Sequence, residues 1–216
     1  MPIKNDREYR TMELRKAAPI EGEEKSYIVE GYATTFGDVY ELYREGKYIV
    51  KETVDRNAFN ETDMSDVVFL LNHTGRVYAR TKNGSVKLEI DDHGIKSTAD
   101  LGLTSSARSV YEDIDAGLYD QMSFAFTVDN DSFAEEELEN GDIVLTRTIL
   151  KVGKMYDVSA VDFPANPYTA ISSRSKDCID GEIARFEAER LRREEHRAKR
   201  EAILSRLSKK EDIENV

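Results

Sequence analysis

The sequence predicts a mainly β fold of the α+β class, an antiparallel barrel or sandwich followed by a charged helical tail. About seven or eight short segments rich in β-branched and aromatic residues lie close together before residue 174. Only one connection between them has helical periodicity, whereas a doubly wound parallel sheet alternates strands with helices. We therefore divide the chain into an N-terminal arm (1–25), a body (26–173) and a tail (174–216).

The arm and the first half of the body contain most of the predicted strands. Residues 1–25 are polar and predict a loose arm or one edge strand. Residues 56–59 predict a short turn or a single helical turn. Gly94 lies at a hairpin turn where a glycine with positive φ is favoured. The predicted strands of this half are 27–36, 48–54, 67–72, 80–90 and 95–101.

One helix and three further strands complete the predicted body. Thr104 to Ser106 are good N-cap residues, and Gly117 stands where a C′ glycine would end the helix. Residues 130–142 are acidic and predict a loop, and two prolines within 164–167 end the body. The apolar face of the helix comprises Ala107, Val110, Tyr111 and Ile114. The three strands are 121–128, 143–152 and 156–163, with Gly153 between the last two.

Composition and charge exclude several classes of protein. The chain is 39% apolar, the longest apolar run is far shorter than the roughly 20 residues of a membrane span, and the start has no apolar signal segment. One cysteine, Cys178, excludes an internal disulfide and fits a reducing compartment. The whole chain has a net charge of −12, and the tail carries 12 basic and 11 acidic residues, so residues 1–173 carry a net charge of −13. An acidic body argues against nucleic acid as its partner.

No cofactor or metal motif is present in the sequence. The chain lacks a nucleophile elbow, a phosphate-binding Gly-rich loop, a Cys-x-x-Cys pair and a His-Glu-x-x-His motif. Three histidines and one cysteine argue against a zinc cage.

The tail is compatible either with a solvated helix that carries i,i+4 ion pairs or with a docking helix, although its apolar stripe does not sustain three heptads.

Two polar residues interrupt apolar predicted strands. His73 ends the run 67–72, and strand alternation would place it on the face of Phe69 and Leu71. Ser123 would share one face with small residues, which leaves room for an extended peptide, while Phe124 faces the core. A rigid strand presenting an accessible hydroxyl suits a nucleophile. A rim histidine and an ordinary surface serine are the alternatives.

Two aspartates of the last predicted strand are candidates for orienting a histidine. Asp157 and Asp162 are five residues apart, so in a regular strand they point to opposite faces. Asp157 shares its face with Ser159, and a carboxylate at this place could fix the tautomer of an imidazole. Asp162 precedes Phe-Pro and could instead cap the following turn. The choice between the two stays open at this point.

Four strings stand in a characteristic order along the chain. They are 69–73 (FLLNH), 91–95 (DDHGI), 116–126 (AGL, then QMSFAF) and 156–167 (YDVSAVDFPANP). In this order they resemble the prohead maturation proteases of tailed bacteriophages, which are serine proteases of the herpesvirus assemblin type. The resemblance covers roughly residues 8–173, and it implies a small β-barrel flanked by helices, no cofactor and no metal.

The resemblance also implies the roles of individual residues and the partners. Ser123 matches the nucleophile of the family, His73 the general base and Asp157 the acidic position before Val-Ser. Ala125 and Thr74 depart from the glycine and the aspartate common in the family. The implied substrates are scaffold protein or the scaffold-like arm of the major capsid protein, together with the protease itself. The implied location is the host cytoplasm and then the interior of the procapsid, and the related herpesvirus enzymes form homodimers.

Two other functions remain open from the sequence. A non-catalytic head-assembly or scaffold protein could use the same fold, and a charged helical tail is typical of scaffold segments. Such a protein would have no reason to keep all three of His73, Ser123 and Asp157. An esterase with the same nucleophile is the third alternative. The tail would serve either to dock the protein to scaffold or as a segment that is trimmed.

Overall fold

The structure is a computed structural model that describes residues 7–17, 26–162 and 173–214. The chain divides into two compact units, Met1–Ser175 and Lys176–Val216. Neither helix of the described residues is long and apolar enough to cross a membrane. The elements are β1 (Glu8–Lys16), β2 (Ile28–Thr35), β3 (Tyr40–Glu45), β4 (Tyr48–Val54), β5 (Val68–Leu71), β6 (Thr74–Arg80), β7 (Val86–Ile90), β8 (Gly94–Asp100), α1 (Ser105–Asp115), β9 (Gln121–Glu137), β10 (Ile143–Val161) and α2 (Ser173–Glu214).

The first unit is built on one sheet of ten strands. Its order is β3-β4-β10-β9-β1-β2-β8-β7, and β5 and β6 branch from the end of β10. The mainly β fold is confirmed, but the pairings among the described residues do not close into a circle, so a barrel is not confirmed. The antiparallel prediction holds for most pairs and is wrong for two, because β4 and β5 both run parallel to β10.

The N-terminal strand occupies an interior position that the sequence did not predict. Strand β1 pairs with β9 on one side and with β2 on the other, so the expectation of a loose arm or an edge strand is wrong. The polar residues of β1 suggest an exposed segment, but Glu8 and Arg10 are buried with charged partners, among them Glu52 of a distant strand. The strand thereby reaches the centre of the sheet beside β9.

A buried ion cluster joins β1 to the centre of the sheet. Arg10 donates to both Glu8 and Glu52, and Arg147 donates to the same two carboxylates at 2.8–3.1 Å. Burial alone would lower the pKa of the Arg10 guanidinium, but the charges of Glu52 and Glu8 hold it well above its ordinary value. The cluster of Glu8, Arg10, Glu52 and Arg147 is therefore a paired set with no net charge.

Strands β9 and β10 form the centre of the sheet, and each continues through a segment where the sequence predicts a loop or a break. Strand β9 continues to Glu137, so residues 130–137 are strand and the predicted acidic loop there is wrong. These residues pair with Ile143 to Lys151 of β10, and this tertiary pairing overrides their weak strand propensity. Strand β10 likewise continues through Gly153, and register shifts between Ile149 and Asp157 take the place of a break.

The local predictions with clear periodicity are confirmed. Strand β4 has the predicted bounds, and Thr104 caps α1 by accepting from the backbone N–H of Ala107. Gly117 has φ of +76°, and its N–H and that of the next residue donate to carbonyls in the last turn, a Schellman motif. All four residues of the predicted apolar face of α1 are buried in the core.

Gly94 and the segment 80–90 differ from their predictions. The hairpin of β7 and β8 is confirmed, but Gly94 does not have positive φ. A Cβ at Gly94 would lie 2.0 Å from the carbonyl oxygen of Thr34, so a close approach of β2 explains the glycine. A single 3-10 turn, Thr81–Asn83, separates β6 from β7, and the segment is therefore two strands.

The second unit is the predicted charged helix. Helix α2 carries the i,i+4 ion pairs that the sequence predicts, for example between Arg193 and Glu189 and between Arg197 and Glu201. Leu191, Ile203 and Leu204 are more than half exposed. The docking role of the tail stays a prediction.

Candidate active site

His73 lies in the two-residue turn between β5 and β6. Leu71 pairs with Thr74, and the two residues between them, Asn72 and His73, have φ of 49° and 57°. Positive φ at both central positions is the mark of a type I′ turn, and Asn and His are among the residues that tolerate it. The prediction that His73 continues the face of Phe69 is wrong, because the strand ladder ends before it.

Ser123 lies near the start of β9, in the interior of the sheet. It is paired with Thr11 of β1 and with Ser159 of β10. Both Ser123 and Ala125 are buried, so the expected open polar face is not open in this structure. Ser123 is 1% exposed. The side chain is therefore shielded from solvent in this structure, whereas the sequence predicts room for an extended peptide beside it.

The structure brings the three predicted residues into one hydrogen-bonded chain. His73 Nδ1 lies 2.6 Å from Asp157 Oδ1, and His73 Nε2 lies 2.8 Å from Ser123 Oγ. Asp157 is held in β10, between β9 and β5. Asp162 does not take this place, and its backbone N–H donates to the side chain of Asn72 at 3.3 Å.

This arrangement defines the proton positions that a serine nucleophile needs. An ionised Asp157 only accepts, so the proton on His73 belongs on Nδ1. Nε2 then presents a lone pair to the hydroxyl of Ser123, as a general base requires. The carboxylate also stabilises the imidazolium that forms when the base takes a proton.

Ser159 is a contact of the site that the sequence only partly indicated. Its hydroxyl donates to Asp157 Oδ1 at 2.8 Å, the same oxygen that faces His73. Ser159 is fully buried and lies opposite Ser123 in the register of β9 and β10. The predicted common face of Asp157 and Ser159 is the signal that could have found it.

Tyr9 is a contact that sequence reasoning missed, because it lies in the predicted arm. Its ring meets the imidazole of His73 edge to face, with centroids 4.4 Å apart and planes at 64°. Burial raises the pKa of the Tyr9 phenol, and the charge of Asp157 raises it further, while Arg7 opposes the shift. The phenol is therefore neutral at pH 7.

Among the described residues, no group of three or more His, Cys, Asp or Glu side chains is placed to hold a metal ion. The two ring nitrogens of His73 instead face the carboxylate of Asp157 and the hydroxyl of Ser123. Ser123, His73 and Asp157 together supply a nucleophile, a base and an orienting group, which is the constellation for covalent catalysis of acyl transfer.

The comparison with protein-family models agrees with that chemistry. The family model of caudovirus prohead serine proteases matches residues 11–181. Among solved structures, the bacteriophage T4 capsid assembly protease gp21 matches with 11% sequence identity and a TM-score of 0.39. That match covers 75% of this chain and 100% of the T4 chain. No curated protein matches this chain.

Proposed function

We propose that this chain, which belongs to the family of caudovirus prohead serine proteases, is a serine endopeptidase with Ser123 as its nucleophile. The observation that carries the proposal is the hydrogen-bonded chain from Ser123 through His73 to Asp157. Family membership supports peptidase activity in capsid maturation. The geometry supports the assignment of the individual roles.

The reaction proceeds in two steps at these side chains. Ser123 Oγ attacks the carbonyl carbon of the scissile bond while His73 Nε2 takes its proton, and the proton passes to the leaving amine as the C–N bond breaks. A water then attacks the acyl-enzyme through the same base and releases Ser123. Throughout, Asp157 holds the imidazole by Nδ1 and stabilises its charged form.

The proposed substrates are the scaffold protein or the scaffold-like arm of the major capsid protein, and the protease itself. These follow from the family, whose members act in prohead maturation. The proposed location is the host cytoplasm before assembly and the interior of the procapsid during maturation. The acidic charge of the body agrees with protein partners and does not favour nucleic acid.

Intact-mass analysis tests the proposal. Wild-type protein and Ser123→Ala are each incubated with the cognate capsid or scaffold protein under assembly conditions. We expect defined fragments with the wild type and none with the variant, and the fragment masses locate the cleaved bond. Identical masses with both proteins would instead support the non-catalytic head-assembly function.

A further inference from the structure

The orientation of His73 requires more than its two hydrogen bonds. Its backbone lies in a turn outside the strand ladder, with φ of 57°. Hydrogen bonds at Nδ1 and Nε2 hold two points of the imidazole, and the third point, its bond to Cβ, depends on a turn that the strand ladder does not hold. A contact against the ring adds a restraint on its plane.

Tyr9 supplies that contact from the neighbouring strand. Its ring lies 4.4 Å from the imidazole in an edge-to-face arrangement, a geometry that aromatic rings favour. In the register of the sheet, Tyr9 of β1 and Asp157 of β10 both lie opposite Ala125 of β9. Tyr9 and Asp157 therefore flank the same point of β9, and His73 contacts both.

The ion cluster holds the backbone of Tyr9 in place. The residues on either side, Glu8 and Arg10, are buried in the cluster with Glu52 and Arg147. In addition, Arg10 Nη1 donates to the carbonyl oxygen of Tyr9 at 2.9 Å. Strand β1 is thus fixed on one face by charges and presents Tyr9 to the site on the other.

We propose that Tyr9 is a positioning residue that fixes the plane of the His73 imidazole through ring contact. The inference rests on the proposed function and deepens it. Tyr9 precedes residue 11, where the match to the family model begins, so the residues matched to the family do not include it. The phenol stays neutral and takes no part in proton transfer. The ring alone should therefore suffice, and phenylalanine should replace tyrosine.

The test compares Tyr9→Phe and Tyr9→Leu by kcat and KM, with a peptide that spans the bond located by the fragment masses. We expect Tyr9→Phe to keep kcat within twofold. Tyr9→Leu should lose about tenfold or more in kcat with KM unchanged, because small displacements of a base cost rates of this order. The control is Tyr27→Leu, which breaks a similar edge-to-face pair with Tyr111 that involves no residue of the site.

Several outcomes would overturn the inference. An unchanged kcat in Tyr9→Leu would remove the ring from the mechanism, and equal losses in both Tyr9 variants would assign the effect to the hydroxyl. A Tyr27→Leu variant with the same loss would reduce the effect to general destabilisation. If Tyr9→Leu does not fold, Tyr9→Met carries the same comparison. Absence of cleavage by the wild type would overturn the proposed function, and the inference with it. Cleavage by the wild type together with an unchanged kcat in the Tyr9 variants would overturn the inference alone.

Discussion

Replacement of Arg147 by methionine should destabilise the first unit strongly. Arg147 is 1% exposed and donates to Glu8, Glu52 and Asp131 at 2.7–3.1 Å. Its removal leaves the ion cluster with one uncompensated negative charge away from water. Breaking a buried pair from one side costs about 3–5 kcal/mol. That is a large fraction of the roughly 5–15 kcal/mol that stabilises an ordinary domain.

Urea unfolding measures this loss. With a dependence on urea of about 2 kcal/mol per molar, a loss of about 4 kcal/mol lowers the midpoint by about 2 M. The chain has no tryptophan but 11 tyrosines, all before residue 169, so near-ultraviolet circular dichroism of tyrosine follows the first unit and not the tail helix. The control is Arg15→Met, which breaks a surface pair with Glu30 and should cost less than about 1 kcal/mol.

A second substitution separates charge from packing. Adding Glu8→Gln to Arg147→Met returns the cluster to zero net charge, so the double variant should lose less stability than the sum of the two single variants. Equal midpoints for Arg147→Met and Arg15→Met would refute the reasoning. Strict additivity of Arg147→Met and Glu8→Gln would also refute it.

Three further predictions concern other parts of the first unit. Burial, and then the charge of Glu52, raises the pKa of Tyr40 well above its ordinary value of 10.0. The contribution of this shift to the free energy of unfolding is therefore complete below about pH 10 and falls as the pH rises above it. Tyr40→Phe should flatten that fall in urea midpoints measured from about pH 9 to 11. Gly94→Ala should cost about 1–3 kcal/mol in urea unfolding, because its Cβ would meet the carbonyl of Thr34. Ser159→Ala should lower kcat by about threefold to tenfold at unchanged KM, since one hydrogen bond to Asp157 contributes about 0.5–1.5 kcal/mol.

Each of these predictions has a clear contrary result. A Tyr40→Phe protein with the same slope of stability above pH 10 would show that the phenol is not protected in the folded state. A Gly94→Ala protein of wild-type stability would mean that β2 and β8 separate at no cost. A Ser159→Ala protein that loses affinity for substrate and keeps kcat would place Ser159 in substrate binding.

The elements that local pattern could predict are those whose partners lie close in sequence. The apolar face and both ends of α1 follow from the residues of the helix itself, and the hairpin of β7 and β8 follows from adjacent segments. The position of β1 does not, because Glu8 finds Arg147 at a separation of 139 residues. The strand character of residues 130–137 depends in the same way on pairing with β10.

In the candidate site, too, the local sequence indicates some features, whereas others depend on pairing between distant segments. His73 and Ser123 are polar interruptions of apolar strands, and strand alternation leaves Asp157 and Asp162 as alternatives for the third residue. The resemblance is what assigns a role to each of Ser123, His73 and Asp157. Their spatial order depends on the turn at His73 and on the parallel pairing of β5 with β10, neither of which the alternation of residues reveals. Tyr9 gave no signal at all, because a polar N-terminal segment does not indicate burial.

The assignment of Ser123, His73 and Asp157 is tested most directly by the rate of cleavage of the cognate capsid or scaffold protein in matched variants. Ser123→Ala and His73→Ala should leave no measurable cleavage, and Asp157→Asn should lose about 10⁴-fold, as when an orienting carboxylate is removed from a serine protease. Asp162→Asn, the matched control, should keep its rate within threefold. Cleavage by Ser123→Ala, or equal losses in the Asp157 and Asp162 variants, would contradict the account.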